Sequence, residues 1–281
     1  MRAIATDPAA RGLDDDTAVL EIGNETLVLT QDTMVEGVHA LSSQDPADIA
    51  WKLVAVNLSD LAAKGAAPVG LLLSHALGKD DERFLAGLRE ATERFDTPLL
   101  GGDTVSMPQG APRSWTLTAI GRATHTPVPS RSGAQAGDAI YVTGPLGAAM
   151  MGFEKLREGT GADSTSYRRP LPQLSVGRAL APIVTAMMDI SDGLLLDAWR
   201  MGAASGATLA IDSTAVPIAA PENRRSDAMR WGDDYELLFT APNEAKLPCA
   251  VHRIGTVEAG EVPLKLDGEE YAGPGGLGYQ H

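Results

Sequence analysis

The 281-residue chain carries a single cysteine, Cys249, so an intrachain disulfide or a cysteine-built zinc site is out of reach. Cys249 reads as a small, inert apolar residue. No run of about 18 apolar residues is present to cross a bilayer. Residues 1–8 lack the apolar core of a secretory signal. Basic residues are scarce: 23 Lys and Arg stand against 37 Asp and Glu, a formal charge of −14. Basic clusters do not exceed the pairs Arg168-Arg169 and Arg224-Arg225. That balance argues against a nucleic-acid surface or an anionic-membrane patch. The sequence therefore predicts a cytoplasmic protein with no nucleic-acid and no membrane partner. Walker and Rossmann glycine loops are missing, as is the Gly-x-Ser-x-Gly elbow of a serine hydrolase.

What is present is acid placed at the ends of apolar runs. Leu29-Thr30-Gln31-Asp32, Asn57-Leu58-Ser59-Asp60, Leu100-Gly101-Gly102-Asp103 and Met188-Asp189-Ile190-Ser191-Asp192-Gly193 share this form, and Asp14-Asp15-Asp16 precedes them. Carboxylates gathered beside Gly and Ser are costly unless a cation neutralises them. Hard divalent ions, Mg²⁺ above all, bind through oxygen ligands and often through phosphates as well. The pattern points to an enzyme that handles a metal-bound polyphosphate. The acidic net charge does not oppose this, because a bound divalent ion inverts the local field.

With 44% hydrophobic residues the chain can build a sizeable core, as one large domain or two ordinary ones. Residues 17–22 and 26–30 read as two strands about a turn. Asp45-Pro46-Ala47-Asp48 opens a helix that ends at Gly65-Ala66-Ala67-Pro68, with Ile49, Leu53, Val56 and Leu61 on its apolar side. Residues 69–77 and 114–121 read as strands and 80–95 as a helix. The polar joint 131–138 places a boundary between domains 1–136 and 137–281. Beyond it, helices are expected at 146–156, 175–187 and 193–205, strands at 208–211, 235–240 and 250–257, and a mobile segment at 159–169. The fold class is α+β, a mixed α/β arrangement with antiparallel hairpins.

Each acidic motif also has a plainer reading. Asp189-Ile190-Ser191-Asp192-Gly193 marks a strand-to-helix corner, where outward backbone N–H groups and Ser191 suit a phosphate, but Ser and Asp also simply cap helices. Gly101-Gly102-Asp103-Thr104 reads as a loop that lets backbone approach a phosphate, or as a tight turn. Asp60, near a helix C-terminus, meets unfavourable dipole charge, which a ligand role would explain. His39 has no histidine partner at metal-ligand spacing. Asp233-Asp234-Tyr235-Glu236 suits a cationic ligand or a strand cap.

Taken together and in order, these motifs resemble thiamine-monophosphate kinase. The resemblance rests on 15–20, 30–39, 56–66, 101–104, 131–134, 189–193 and 232–237, and covers roughly residues 12 to 240. It implies the fold of the aminoimidazole-ribonucleotide synthetase superfamily: an N-terminal α/β domain that pairs in a homodimer, and a C-terminal α/β domain. The implied reaction moves the ATP γ-phosphoryl group to thiamine monophosphate, giving thiamine diphosphate and ADP. By motif, Asp16, Asp32, Asp60, Asp103, Asp189 and Asp192 would hold Mg²⁺, with Thr30 and Gln31 as further oxygen ligands. Gly102, Asp103, Arg131 and Ser191 would contact ATP; His39, Asp233 and Tyr279 would face thiamine monophosphate. Gln31 stands where the family usually has a hydroxyl residue, and the tail 275–281 lacks the family's frequent Trp. No general base is expected, because the acceptor oxygen is already an ionised phosphate. The alternatives are another ATP-dependent synthetase of the superfamily and a non-catalytic sensor of ATP or thiamine phosphate.

Overall fold

A computed structural model describes residues 2–280. After a short 3-10 run, strands β1 (Ala18–Ile22) and β2 (Glu25–Val35) form a hairpin, followed by helix α1 (Pro46–Ala63), β3 (Ala66–Leu77), α2 (Asp81–Arg94), β4 (Leu99–Ser106) and β5 (Ser114–Ala123). These five strands make one sheet in the order β1-β2-β5-β3-β4, antiparallel except for the parallel pair β3–β4. The second part holds β6 (Ala139–Val142), α3 (Ala148–Glu158), α4 (Thr165–Arg168), α5 (Leu174–Leu180), β7 (Ala186–Asp189), α6 (Leu194–Ser205) and β8 (Thr208–Ile211). It continues through α7 (Arg225–Trp231), β9 (Leu237–Ala241), β10 (His252–Glu258), β11 (Leu264–Leu266) and β12 (Glu269–Tyr271). Its seven strands run β12-β11-β8-β10-β6-β9-β7. The expected division at 136/137 falls in the segment that joins the two sheets.

Helix α1 is the structural hinge between them. Asp45 caps it, its carboxylate accepting from the Ala47 N–H at 2.9 Å with Pro46 in the first turn. The sequence suggests one apolar side, yet nearly every residue of α1 is buried. A helix apolar all round belongs in a core. Leu53, Val54 and Leu58 pack under the first sheet, whereas Ala62 and Ala63 join Met187, Leu237 and Phe239 of the second.

Three expectations are corrected. The helix expected over 175–187 stops at Leu180, and Ala186–Asp189 is the fully buried strand β7. Gly101-Gly102-Asp103-Thr104 is not a loop; it lies inside edge strand β4, paired with β3. Gly is needed there because a Cβ on Gly102 would sit 1.8 Å from the Leu73 carbonyl oxygen. The segment 159–169, expected to be mobile, is exposed over 159–163 but fastened at its end. Arg168 and Arg169 both grip the buried Asp48 carboxylate, and the Trp51 indole N–H donates to the Pro170 carbonyl at 3.0 Å.

Candidate active site

The two halves meet at a cleft of about 460 Å³ over the C-terminal part of α1. Alternation along β2 turns Thr30, Asp32 and Met34 toward α1, where their row partners Ala119, Leu117 and Trp115 are fully buried. From α1, Asp60 accepts a short hydrogen bond from the Thr30 hydroxyl. From the end of β7, Asp189 accepts from the Ser59 hydroxyl at 2.6 Å. Asn57 accepts from the Asp32 N–H at 3.2 Å and donates to the Leu53 carbonyl at 2.9 Å, fixing β2 against the helix. One carboxylate oxygen from each of Asp16, Asp60 and Asp189 lies within 4.8 Å of the other two. Asp32 and Asp192 line the same cleft.

Such crowding has electrostatic consequences. Burial first, then the charges of Asp32, Asp189 and Asp16, hold the Asp60 carboxyl well above the usual range. Burial and the Asp16 charge likewise push Asp189 up to about 8. Cations enter from behind the cluster. The fully buried Lys64 bonds Asp15 and lies 3.8 Å from Asp16, and Arg131 bonds Asp16. Burial raises the Asp15 carboxyl, but Lys64 and Arg11 together outweigh it and hold Asp15 well below its ordinary value. One buried oxygen of Asp16, Oδ2, has no hydrogen-bond partner. Its nearest ion-pair partner is Lys64 at 3.8 Å, and three carboxylates gathered this closely form a candidate site for a hard cation.

At the corner between β7 and α6 the two N–H groups just before the helix are taken by a side chain. The backbone N–H groups of Ser191 and Asp192 both donate to Asp197 at 3.1 Å. The N-cap is Gly193, not Ser191, and a Cβ on Gly193 would meet the Arg230 carbonyl oxygen at 2.6 Å. Ser191 lines the cleft through what remains of it.

His39, Asp233 and Tyr279 line the same cleft. His39 Nδ1 accepts from the Val35 N–H at 3.0 Å, so the proton of the neutral ring sits on Nε2. Asp233 is already paired: Lys52 donates to it at 2.8 Å and the Tyr235 hydroxyl at 2.7 Å. Both Asp233 (φ 57°) and Tyr235 (φ 53°) adopt the left-handed conformation that side chains disfavour. The Tyr279 N–H donates to the Asp192 carbonyl at 2.9 Å, tying the tail to the metal-side loop. Lys52 also lies 3.8 Å from the centre of the Tyr167 ring, and Phe153, Tyr167 and Trp231 line the wall beside it. The sequence reading missed these residues, along with Lys64, Ser59 and Asn57. A signal existed in α1, where Lys52 stands within a buried helix and Lys64 caps its end.

Gly102, Asp103 and the side chain of Gln31 are not among this group. Gln31 accepts from the Thr118 hydroxyl at 3.0 Å on the face of the sheet turned away from α1. Strand pleating does not let Thr30, Gln31 and Asp32 all face one side, so the Gln31 side chain is no ligand to the cluster. Asp103 pairs with Ser74, in the row of Thr116 and Thr33, on that same outer face. Three strands separate β4 from β1, and two separate it from β2. Within one chain Asp103 does not reach the carboxylate cluster.

Comparison with known proteins agrees with this architecture. Residues 14–123 match the N-terminal domain of AIR synthase related protein, and 135–263 match its C-terminal domain. Thiamine-monophosphate kinase of Salmonella typhimurium is 38% identical over 290 residues, covering 95% of this chain and 86% of that protein. The structure of AaThiL complexed with AMPPCP and TMP superposes with a TM-score of 0.84 at 30% identity, over 92% of this chain and 89% of that one. Thiamine-monophosphate kinase of Stenotrophomonas maltophilia K279a superposes with a TM-score of 0.80 at 33% identity, over 96% and 94% of the two chains. Over this span of sequence and structure, the chain belongs to the thiamine-monophosphate kinase family.

Proposed function

We propose that this protein transfers the γ-phosphoryl group of ATP to thiamine monophosphate, directly and in line, with Mg²⁺, as a cytoplasmic homodimer. The observation that carries the reading is the convergence of Asp16, Asp60 and Asp189, one carboxylate oxygen of each within 4.8 Å of the others. Their all-oxygen donor set suits Mg²⁺ rather than a softer metal. The Thr30 hydroxyl bonds Asp60, and Asp32 and Asp192 line the same cleft as further candidate ligands. Held by these carboxylates, Mg²⁺ would supply the positive charge that lets the two anionic phosphates approach.

The chain's own groups then divide the work. Arg131 and Ser191 flank the nucleotide side; Arg131 is held at Asp16, which keeps a cation beside the phosphates. The Nε2–H of His39 is placed to donate to the acceptor phosphate. Asp233 recognises the cationic thiamine portion only in concert with Lys52, which already neutralises part of its charge. Tyr279 supplies a ring at the open edge. No side chain need take a proton, since the attacking oxygen is ionised at neutral pH.

Dimerisation is argued from the outer face of the first sheet. Leu20, Ile22, Leu72 and Leu100 are exposed there, and every residue of edge strand β4 is accessible. Sheet faces and edges of this kind are covered in stable proteins. We assign a second copy of the chain to this face and edge, with Asp103 of the exposed strand β4 contributing to the assembly. ADP release measured with and without thiamine monophosphate tests the reading. Release that depends on thiamine monophosphate supports it; release with neither acceptor dependence nor thiamine diphosphate formation refutes it.

A further inference from the structure

Asp197 is fully buried in the first turn of α6, among Leu194, Leu195 and Leu196. A carboxylate there is costly unless its oxygens are met by donors. They are met by a specific set. Oδ2 accepts from the N–H groups of Ser191 and Asp192, each at 3.1 Å, and Oδ1 accepts from Arg200 Nη1 at 2.9 Å. The same Arg200 nitrogen donates to Asp192 Oδ2 at 2.6 Å, and Arg200 lines the cleft. The corner is clamped from the opposite side as well. The Asp233 N–H donates to the Ser191 carbonyl at 2.8 Å, and the Tyr279 N–H to that of Asp192. Gly232 lies so close that a Cβ there would meet the Ser191 carbonyl oxygen at 2.3 Å.

We infer that Asp197 and Arg200 are positioning residues: Asp197 fixes the backbone of Ser191-Asp192, Arg200 fixes the Asp192 carboxylate, and together they set the grip of this corner on a metal-bound nucleotide. The inference rests on the proposed kinase reading for the identity of the ligand, but its geometry is independent of the acceptor. Asp197 takes the N–H groups of Ser191 and Asp192, and so holds the backbone that carries the Ser191 and Asp192 side chains. Those side chains need a rigid backbone to be aimed.

Titration calorimetry with Mn²⁺ and the non-hydrolysable analogue AMPPCP tests this in the full-length protein. Asp197→Asn retains one acceptor oxygen but turns an amide N–H₂ toward either the backbone donors or Arg200, so one donor faces another. Arg200→Gln removes the clamp from a partly exposed position and is expected to fold. Both variants should bind Mn²⁺–AMPPCP roughly tenfold more weakly and lose kcat, with KM for thiamine monophosphate within about twofold of wild type. Arg200→Lys, which keeps a single charged donor, should recover part of the loss. Unchanged nucleotide affinity in Arg200→Gln would overturn the inference, whether or not Asp197→Asn folds. So would losses that disappear when each variant is compared at the same distance below its melting temperature. Calorimetry does not require turnover, so failure of the kinase reading and failure of the positioning role are separate results.

Discussion

Asp60 and Asp189 show at the scale of single residues how strongly this site depends on a cation. Burial and neighbouring carboxylates raise both, Asp189 to about 8 from an ordinary value of 3.8. A carboxyl with a raised folded-state value favours the fold while protonated. That stability is complete below the unfolded value near 3.8 and is lost as pH rises through about 8. Asp15 works in the opposite sense, its contribution falling away only in acid. The melting temperature without divalent ions should therefore decline from mildly acidic to mildly alkaline pH, and Mg²⁺ should restore it more at high pH than at low. A melting curve indifferent to both pH and Mg²⁺ would contradict the cation site. Asp60→Asn removes one charge from the cluster and should lower kcat by about 10²-fold or more, the scale of one preorganised electrostatic contact. At this scale the sequence was most legible. Asp16, Asp32, Asp60, Asp189 and Asp192 stood out because acids at the ends of apolar runs are unusual. Lys52 and Lys64 were illegible in role, because only the fold sets their ammonium groups against Asp233 and Asp15.

Among the elements, α1 carries the account, because it is packed from every side. Its end meets α5 at Gly177, where a Cβ would lie 1.9 Å from the Ala62 carbonyl oxygen. Gly177→Ala has no soft neighbour to displace, so stability should fall by about 2 kcal/mol, measurable by denaturant unfolding. The start of α1 was readable from Asp45-Pro46, since capping chemistry is local. Its burial on all faces was not, because that depends on a second sheet arriving from over a hundred residues away. The same limit explains two misreadings. The helix expected over 175–187 takes in Ala186 and Met187, but with Met188 and Asp189 these form a buried strand beside β9. Gly101-Gly102 looks like a turn, but its glycines serve close packing against β3.

For the molecule as a whole, the separation of Asp103 from the carboxylate cluster is the sharpest clue to assembly. If two chains share each site, Asp60→Asn and Asp103→Asn should each be nearly inactive alone, yet regain activity when mixed and allowed to exchange. Random pairing gives half mixed dimers with one intact site each, about a quarter of wild-type activity. Leu100→Glu on the outer face should yield a chain near 29.4 kDa by light scattering instead of about twice that mass. No recovery on mixing would place Asp103 outside the active site. The order of the motifs made the family readable from sequence. The two-faced sheet that divides Asp32 from Asp103 was not, because face and register exist only once strands pair.

The most direct test of the central claim is ³¹P NMR of the purified protein incubated with ATP, thiamine monophosphate and Mg²⁺. The account predicts ADP and thiamine diphosphate appearing in equal amounts, stopping on addition of EDTA, and near-absence of both products with Asp60→Asn. Inorganic phosphate in place of thiamine diphosphate, or transfer that persists in EDTA or in Asp60→Asn, would contradict it.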